Sequence, residues 1–217
     1  MAYRTTALRI DRDQALRERI INAALARVVE GGFAALTMHA LAEDVGIATG
    51  SLYRHVRSKG ELAAEVFALA SQREVDALAA SVRGPGSPAQ RLTAGLERFA
   101  SRAWNSRRLA FALIAEPVDP EVDEQRLLYR EAYAELFVEL LREGVAVGQF
   151  RVQQVNLVAA CLVGAIAEAL VGPLSPPARA AREAGYPAPS LVEVSQTLVT
   201  FCLRAVGAQL PEEEPQS

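Results

Sequence analysis

Between Thr37 and Lys59 the chain reads TMHALAEDVGIATGSLYRHVRSK, an order of residues that admits few folds. Leu41 and Val45 stand one helical turn apart, Ala42 offers a small surface for close helix contact, and Gly46 falls where a helix must stop and the chain swing round. Ile47 is placed to enter a core beneath that turn. The run Ala48 to His55 then begins with small and hydroxyl-bearing residues and ends with an aromatic and two basic ones. The pattern predicts helix, tight turn, helix. Small residues at the start of the second helix let its backbone approach base edges, with Gly50 the smallest. Thr49, Ser51, Tyr53, Arg54 and His55 can hydrogen-bond bases or phosphate oxygens. A plain corner between two helices has the same periodicity, so spacing alone leaves both readings open.

The rest of the chain is helical in pattern. Leu16, Ile20, Ile21, Leu25, Val28 and Val29 form a stripe of period near 3.6 that ends at Gly31-Gly32, with Asp11 or Asp13 as candidate cap. Residues 1–11 lack periodicity and read as a solvated tail in preference to a DNA arm carrying Arg4 and Arg9. Ser58-Lys59-Gly60-Glu61 has the form of a capping box and launches a helix to about Arg83. After the break Gly84-Pro85-Gly86-Ser87-Pro88, helices are predicted from Pro88 to about Asn105 and from Arg107 to Ala115. Asp119-Pro120 restarts a long one to Gly148. Val155 to Gly172 is apolar nearly all round; Glu168 inside it and Gly172-Pro173 after it argue for a helix buried on all sides over a membrane span. Residues 173–189 read as a Pro- and Ala-rich loop. Ser190-Leu191-Val192-Glu193 is a second capping box, opening a helix that ends near Gly207, and PEEEPQS forms an acidic, disordered tail. No pair of strands is visible. The expectation is an all-α chain of about nine helices, divided into an N-terminal helix-turn-helix domain over residues 1–60 and a larger helical domain over residues 61–217.

Charge is divided along the same line. The net charge is -3, yet residues 1–60 carry nine Arg or Lys against six Asp or Glu, and the remainder fourteen against twenty. A modestly basic module on an acidic body suits DNA binding. Arginine outnumbers lysine twenty-two to one, which fits a bacterium with a GC-rich genome. Cys161 and Cys202 both lie in apolar helical runs, which predicts reduced, buried thiols and a cytoplasmic setting. The N-terminus does not have the form of a signal peptide.

About a dozen positions in order and spacing, Gly32-Phe33, Thr37, Leu41-Ala42, Val45-Gly46-Ile47, Gly50-Ser51-Leu52-Tyr53, His55-Val56, Lys59 and Leu62, resemble the DNA-binding domain of the TetR (tetracycline repressor) family over roughly residues 12–62. The resemblance implies a transcriptional regulator in which Thr37 caps the first helix of the motif and touches a phosphate. It further implies that the recognition helix reads bases and that Tyr53, His55 and Lys59 grip the backbone; on that helix Thr49, Ser51 and Arg54 are read as facing base edges, with Gly50 allowing close approach. Ala48 departs from the family pattern, where a Ser often caps the recognition helix, so the cap falls to Thr49 or to water. The implied partners are a palindromic DNA operator, a second copy of the chain and a small-molecule effector of unknown identity. In two copies the helices Val155–Gly172 and Leu191–Val206 would form a four-helix bundle.

Catalytic parts are few. His39 and His55, the only histidines, both fall inside the DNA-binding motif, and there is no Gly-rich phosphate loop, CxxC or HExxH. Neither an enzyme nor a cofactor is expected. The run Glu116, Asp119, Glu121, Asp123, Glu124 reads as charge at a helix start, ahead of a metal site. Phe99, Arg102, Trp104, Phe111, Tyr129 and Tyr133 are the candidates for an effector pocket, although each taken singly also fits an ordinary core. Without such a pocket the rival reading is a constitutive, nucleoid-type DNA-binding protein whose body only oligomerises.

Overall fold

The computed structural model describes residues 2–151 and 153–208, with side chains from Ile10 onward. Ten α-helices and one 3-10 turn account for the regular structure, and no strand occurs among the described residues. They are α1 (Ala2–Gly31), the 3-10 turn (Phe33–Ala35), α2 (Met38–Val45), α3 (Thr49–Leu52), α4 (Lys59–Val82), α5 (Pro88–Asn105), α6 (Arg107–Ile114), α7 (Pro120–Ala146), α8 (Val155–Leu174), α9 (Pro176–Glu183) and α10 (Leu191–Ala205). The chain forms two compact units, one of residues 1–71 with 108–127, the other of residues 72–107 with 128–217.

In the first unit α1 buries Ile20, Leu25 and Val28 as its stripe predicts, and Ala24 beside them, while Leu16 and Ile21 are half-buried and Val29 is left 40% exposed. The helix runs through Asp11 and Asp13 and back to Ala2, where the pattern predicts a cap and then a tail. Extending a formed helix adds one hydrogen bond per residue without a new nucleation cost, and residues 2–13 contain no Gly or Pro to stop it. Gly32, at φ 76° and ψ -177°, leads into the 3-10 turn. That region of backbone space is open essentially to glycine alone. Leu36, Leu41, Leu52, Leu62 and Val66 complete a core from which solvent is excluded, and Phe33 stacks on Phe67 with ring centroids 6.2 Å apart.

In the second unit α5 packs along α10, and α8 packs against α9 and α10. Leu92, Leu96, Ala100 and Ala103 of α5 are buried, as are Val194, Leu198 and Cys202 of α10 and Leu136, Phe137, Leu140 and Leu141 of α7. The capping box at Ser190 forms in full: Ser190 Oγ accepts from Glu193 N (3.2 Å), and the Glu193 carboxylate accepts from Ser190 N (2.7 Å). At Ser58 only half of the predicted box is made. Ser58 Oγ accepts from Glu61 N (3.0 Å), and the Glu61 carboxylate turns to Arg57 (3.8 Å).

Three expectations are corrected here. Residues 176–183, taken for loop, are helical: Ser175 accepts from Ala178 N and Pro176 stands at the first helical position, a start that the surrounding prolines mask in the sequence. The α8 helix is buried on one face only. Ala159, Leu162, Ile166, Leu170 and Leu174 point inward, while Leu157 is 67% exposed and Cys161, Gly164, Glu168 and Gly172 follow it on an open stripe. Cys161 is therefore exposed, and of the two predicted buried thiols only Cys202 is. Among the described helices α8 alone is long and apolar enough to cross a membrane, and it carries Glu168 and packs against two neighbours. The acidic tail lies outside the described residues.

Candidate nucleic-acid interface and effector region

The motif is built from α2, the turn at Gly46, and α3. Thr37, in extended backbone at φ -111°, caps α2 by accepting from Ala40 N (3.3 Å). A hydroxyl that accepts this bond still has its own proton to donate, and Thr37 is exposed. At the other end Gly46 adopts the left-handed conformation at φ 72°, and Ile47 N donates to Ala42 O (3.0 Å), which closes the helix and reverses the chain. Two arginines of α1 fix α2 from behind. Arg19 donates to Val45 O (2.9 Å), while Arg27 donates to Ala40 O (3.0 Å) and twice to Asp44 (2.5 and 2.9 Å).

A four-residue helix cannot hold itself together, so α3 depends on packing. Leu52 is fully buried and Val56 nearly so; each anchors the segment with about 1.5–3 kcal/mol of hydrophobic burial. Between them the backbone continues in tight turns, with Arg54 N donating to Ser51 O (3.2 Å) and His55 N to Leu52 O (2.8 Å). Ala48 occupies the N-cap with no side-chain bond, so the first amides of α3 are left uncapped. Gly50 faces open space. Tyr53 is 53% exposed, Arg54 is exposed, and Thr49, Ser51 and His55 are half-buried. Lys59, in the first turn of α4, has its Nζ 3.9 Å from Asp119 Oδ2, with both side chains about half exposed. A pair that long and wet binds weakly and leaves the ammonium available to a phosphate.

Sequence pattern gives no sign of the segment that braces this motif. The Glu116 carboxylate accepts from Phe33 N (2.9 Å) and Ala34 N (3.0 Å), clamping the 3-10 turn that leads into Thr37. Arg108 donates to Glu30 O at the end of α1. Arg126 donates to Leu113 O (3.1 Å), Ala112 O (3.3 Å) and Glu116 O (2.9 Å), and so holds the loop that presents Glu116. The run Glu116 to Glu124 does more than place charge at a helix start. Glu116 is a clamp, Asp119 meets Lys59, and Asp123 pairs with Arg126 (2.5 Å).

Of the effector candidates, five lie in the second unit and Phe111 in the first. Phe99 meets Tyr133 edge-on with centroids 5.8 Å apart. Arg102 donates twice to Glu74 (2.6 and 2.7 Å), an interaction that raises its already high pKa. Burial and then the Glu74 charge raise the Tyr133 phenol, so it stays a neutral donor. Tyr129 Oη donates to Gln72 Oε1 (3.3 Å). Trp104 stands apart from these contacts, with the guanidinium carbons of Arg107 and Arg182 4.7 and 5.5 Å from its ring centroid. Two open grooves border α10, one lined by Ala169, Pro173, Val194 and Leu198, the other by Gln196, Thr200 and Phe201.

Two family models match the sequence. That for bacterial regulatory proteins of the tetR family covers residues 20–66, which takes in the whole motif, and that for the tetracyclin repressor-like C-terminal domain covers residues 85–170. The chain belongs to the TetR family. As a TetR-family member it is a DNA-binding transcriptional regulator, with the DNA-binding match preceding the C-terminal-domain match along the chain. Solved structures of similar fold include the fatty acid degradation regulator FadR from Bacillus halodurans, with TM-score 0.69 and 19% identity over 86% of this chain and 94% of that one. FadR from Bacillus subtilis in complex with stearoyl-CoA gives TM-score 0.69 and 17% identity over 87% and 98%. RolR in complex with resorcinol gives 0.65 and 18% over 92% and 91%. A search of curated proteins finds no match.

Proposed function

We propose that the chain is a one-component repressor that binds a palindromic operator as a homodimer and is released by a small-molecule effector. The observation that carries the DNA-binding part is the surface over Leu52 and Val56. Two buried anchors fix a short helix and the turn after it, which expose Gly50 and then Tyr53 and Arg54. In this reading Thr37, Tyr53, His55 and Lys59 hold phosphates, Thr49, Ser51 and Arg54 face bases, and Gly50 permits close approach. One helix this short reads only a few base pairs, so specificity calls for two, held by two-fold symmetry at half-sites about one helical turn apart. The outward stripe of α8 and the exposed Phe201 of α10, 55% accessible, are the surface offered for pairing, since exposed apolar area costs free energy unless covered.

The reading head is residues 1–60 and the effector-binding and dimerisation body residues 61–217, although 61–71 and 108–127 of the body belong to the same compact unit as the head. Phe99, Arg102, Trp104, Tyr129 and Tyr133, all of the second unit, are the effector contacts in this reading, and Phe111, which belongs to the first unit, is not counted among them. The similar folds seen with stearoyl-CoA and with resorcinol support a liganded body. The protein acts as a regulator in the bacterial cytoplasm. The test is to select bound fragments from random duplexes, measure affinity for the selected site by anisotropy, and repeat the titration across a panel of small acids, aromatics and acyl compounds. By reciprocity, a ligand that weakens operator binding must itself bind less tightly when operator is present. Ligand affinity equal with and without operator would favour the constitutive, nucleoid-type binder.

A further inference from the structure

Around Trp104 stand two arginines, neither in an ion pair with a carboxylate among the described residues. The guanidinium carbons of Arg107 and Arg182 both lie within 6 Å of the centre of its ring. Cation–π attraction to one indole accounts for why each sits there. It does not account for their nitrogens. Arg107 Nε and Arg182 Nη2 are buried and have no hydrogen-bond partner. Arg182 spends one nitrogen, Nη1, on Pro173 O (2.8 Å), and among the described residues no carboxylate forms an ion pair with either arginine. The nearest acid in sequence, Glu183, lies 3.9 Å from Arg179 and is largely exposed.

Buried polar groups in folded proteins are almost always satisfied, and one that is not marks an absent water or ion. Two buried guanidinium nitrogens beside one ring set a stricter condition than one, because the charges also repel. Burial first and the Arg107 charge second lower the pKa of Arg182, against a smaller raising effect of the Glu183 charge, whereas Arg27 and Arg102, paired with carboxylates, are raised. Both side chains are half-buried, so water can meet these donors, but it leaves the repulsion between the two charges in place. A planar carboxylate or a phosphate would satisfy both, since a guanidinium fork presents parallel N–H bonds to two oxygens of such a group.

We propose that Arg107 and Arg182, gathered on the Trp104 ring, bind the oxyanion of a small acidic ligand, a carboxylate or a phosphate, as the polar anchor of the effector. This rests on the effector-released reading above and narrows it to acids. Of the three residues only Trp104 was a candidate in the sequence, since an arginine in a Pro-rich stretch carries no pattern that ties it to a tryptophan some eighty positions earlier.

Trp104 is the chain's one tryptophan, so its fluorescence reports on the site directly. The full-length protein is titrated at constant ionic strength with inorganic phosphate, with sodium octanoate and with octanol. Expected is a saturable change in emission with phosphate or octanoate, the one that responds naming the anion, with octanol at least tenfold weaker. Arg107→Gln and Arg182→Gln should each weaken binding at least tenfold, and Arg182→Lys, which keeps the charge and loses the fork, should fall between. Circular dichroism establishes that each variant is folded. A response reproduced by sodium chloride, no saturable response to either acid, or equal affinity in Arg182→Lys and Arg107→Gln to the unaltered protein would overturn the proposal. Operator affinity measured alongside separates the two readings. A compound that releases DNA equally from the Arg107→Gln, Arg182→Gln double variant upholds effector control and sinks the anion site. Acid binding at Trp104 that leaves operator affinity unchanged upholds the site and sinks effector control through it.

Discussion

Removing the Glu116 carboxylate tests the clamp on the turn before the DNA-binding motif. In Glu116→Ala two charge-assisted bonds, at 2.9 and 3.0 Å, are lost together. Ala34 N faces water and regains a partner there, so its bond contributes little. Phe33 N belongs to a residue only 5% exposed, and a buried donor left unpaired costs about 1–3 kcal/mol. The variant should therefore be destabilised by about 2 kcal/mol, a fall in melting temperature of about 4–8 °C if the chain unfolds as one. Gly32→Ala supplies the internal check. Its Cβ would lie 2.4 Å from Glu116 Oε2, so the carboxylate must leave, and the backbone at φ 76°, ψ -177° adds about 1–3 kcal/mol of strain. Because both substitutions break the same clamp, the double variant should be less destabilised than the sum of the singles by about 2 kcal/mol. Melting curves for the four proteins decide it. Strict additivity, or a Glu116→Ala protein as stable as its parent, would refute the clamp.

Lys59→Ala should weaken binding to all DNA sites alike and reduce the slope of log affinity against log salt by about one; unchanged affinity with altered base preference would reverse the assignment of phosphate and base contacts. Phe201→Glu, on the open side of α10, should yield a folded monomer in sedimentation or light scattering, whereas an intact dimer would place the interface elsewhere. Leu198 is unsuited to that test because it is 3% exposed, and a charge there disrupts the core. Glu193 has a carboxyl pKa held below the ordinary range, first by the Ser190 amide and then by its hydroxyl. Its stabilisation of α10 is present above the unfolded-state value of about 4.3 and lost as pH falls through the lowered folded value. The melting-temperature gap between the parent and Glu193→Gln should thus hold at neutral pH and close in acid; a gap that persists unchanged would show that the carboxylate charge is irrelevant to the cap.

The motif was legible because every constraint on it is local. A Thr cap and a glycine at the turn are set by neighbours in sequence, and Thr37 and Gly46 stand as their order implies. The body was legible as helices but not as contacts. Periodicity names the apolar face of α5 and cannot say that Glu116 reaches back 83 positions to Phe33 N, since a single carboxylate before a proline has no pattern. Arg107 and Arg182 were missed for the same reason. The error over α8 differs in kind. Apolar composition on all sides states that all sides avoid water, and burial within one chain was only one way to meet that demand.

The open stripe of α8 also leaves the protein with two thiols of opposite chemistry. Cys202 is fully enclosed and its pKa is pushed up to about 11 by burial, so at neutral pH it offers almost no thiolate and no path to it. Cys161 lies in the open. An alkylating reagent should consequently consume one equivalent per chain, and the speed at which it does so becomes a clock for whatever covers that stripe. Dilution that separates paired subunits would quicken labelling, and an operator that holds them together would slow it. Subunit exchange could then be timed on the unaltered polypeptide, with no dye or engineered residue.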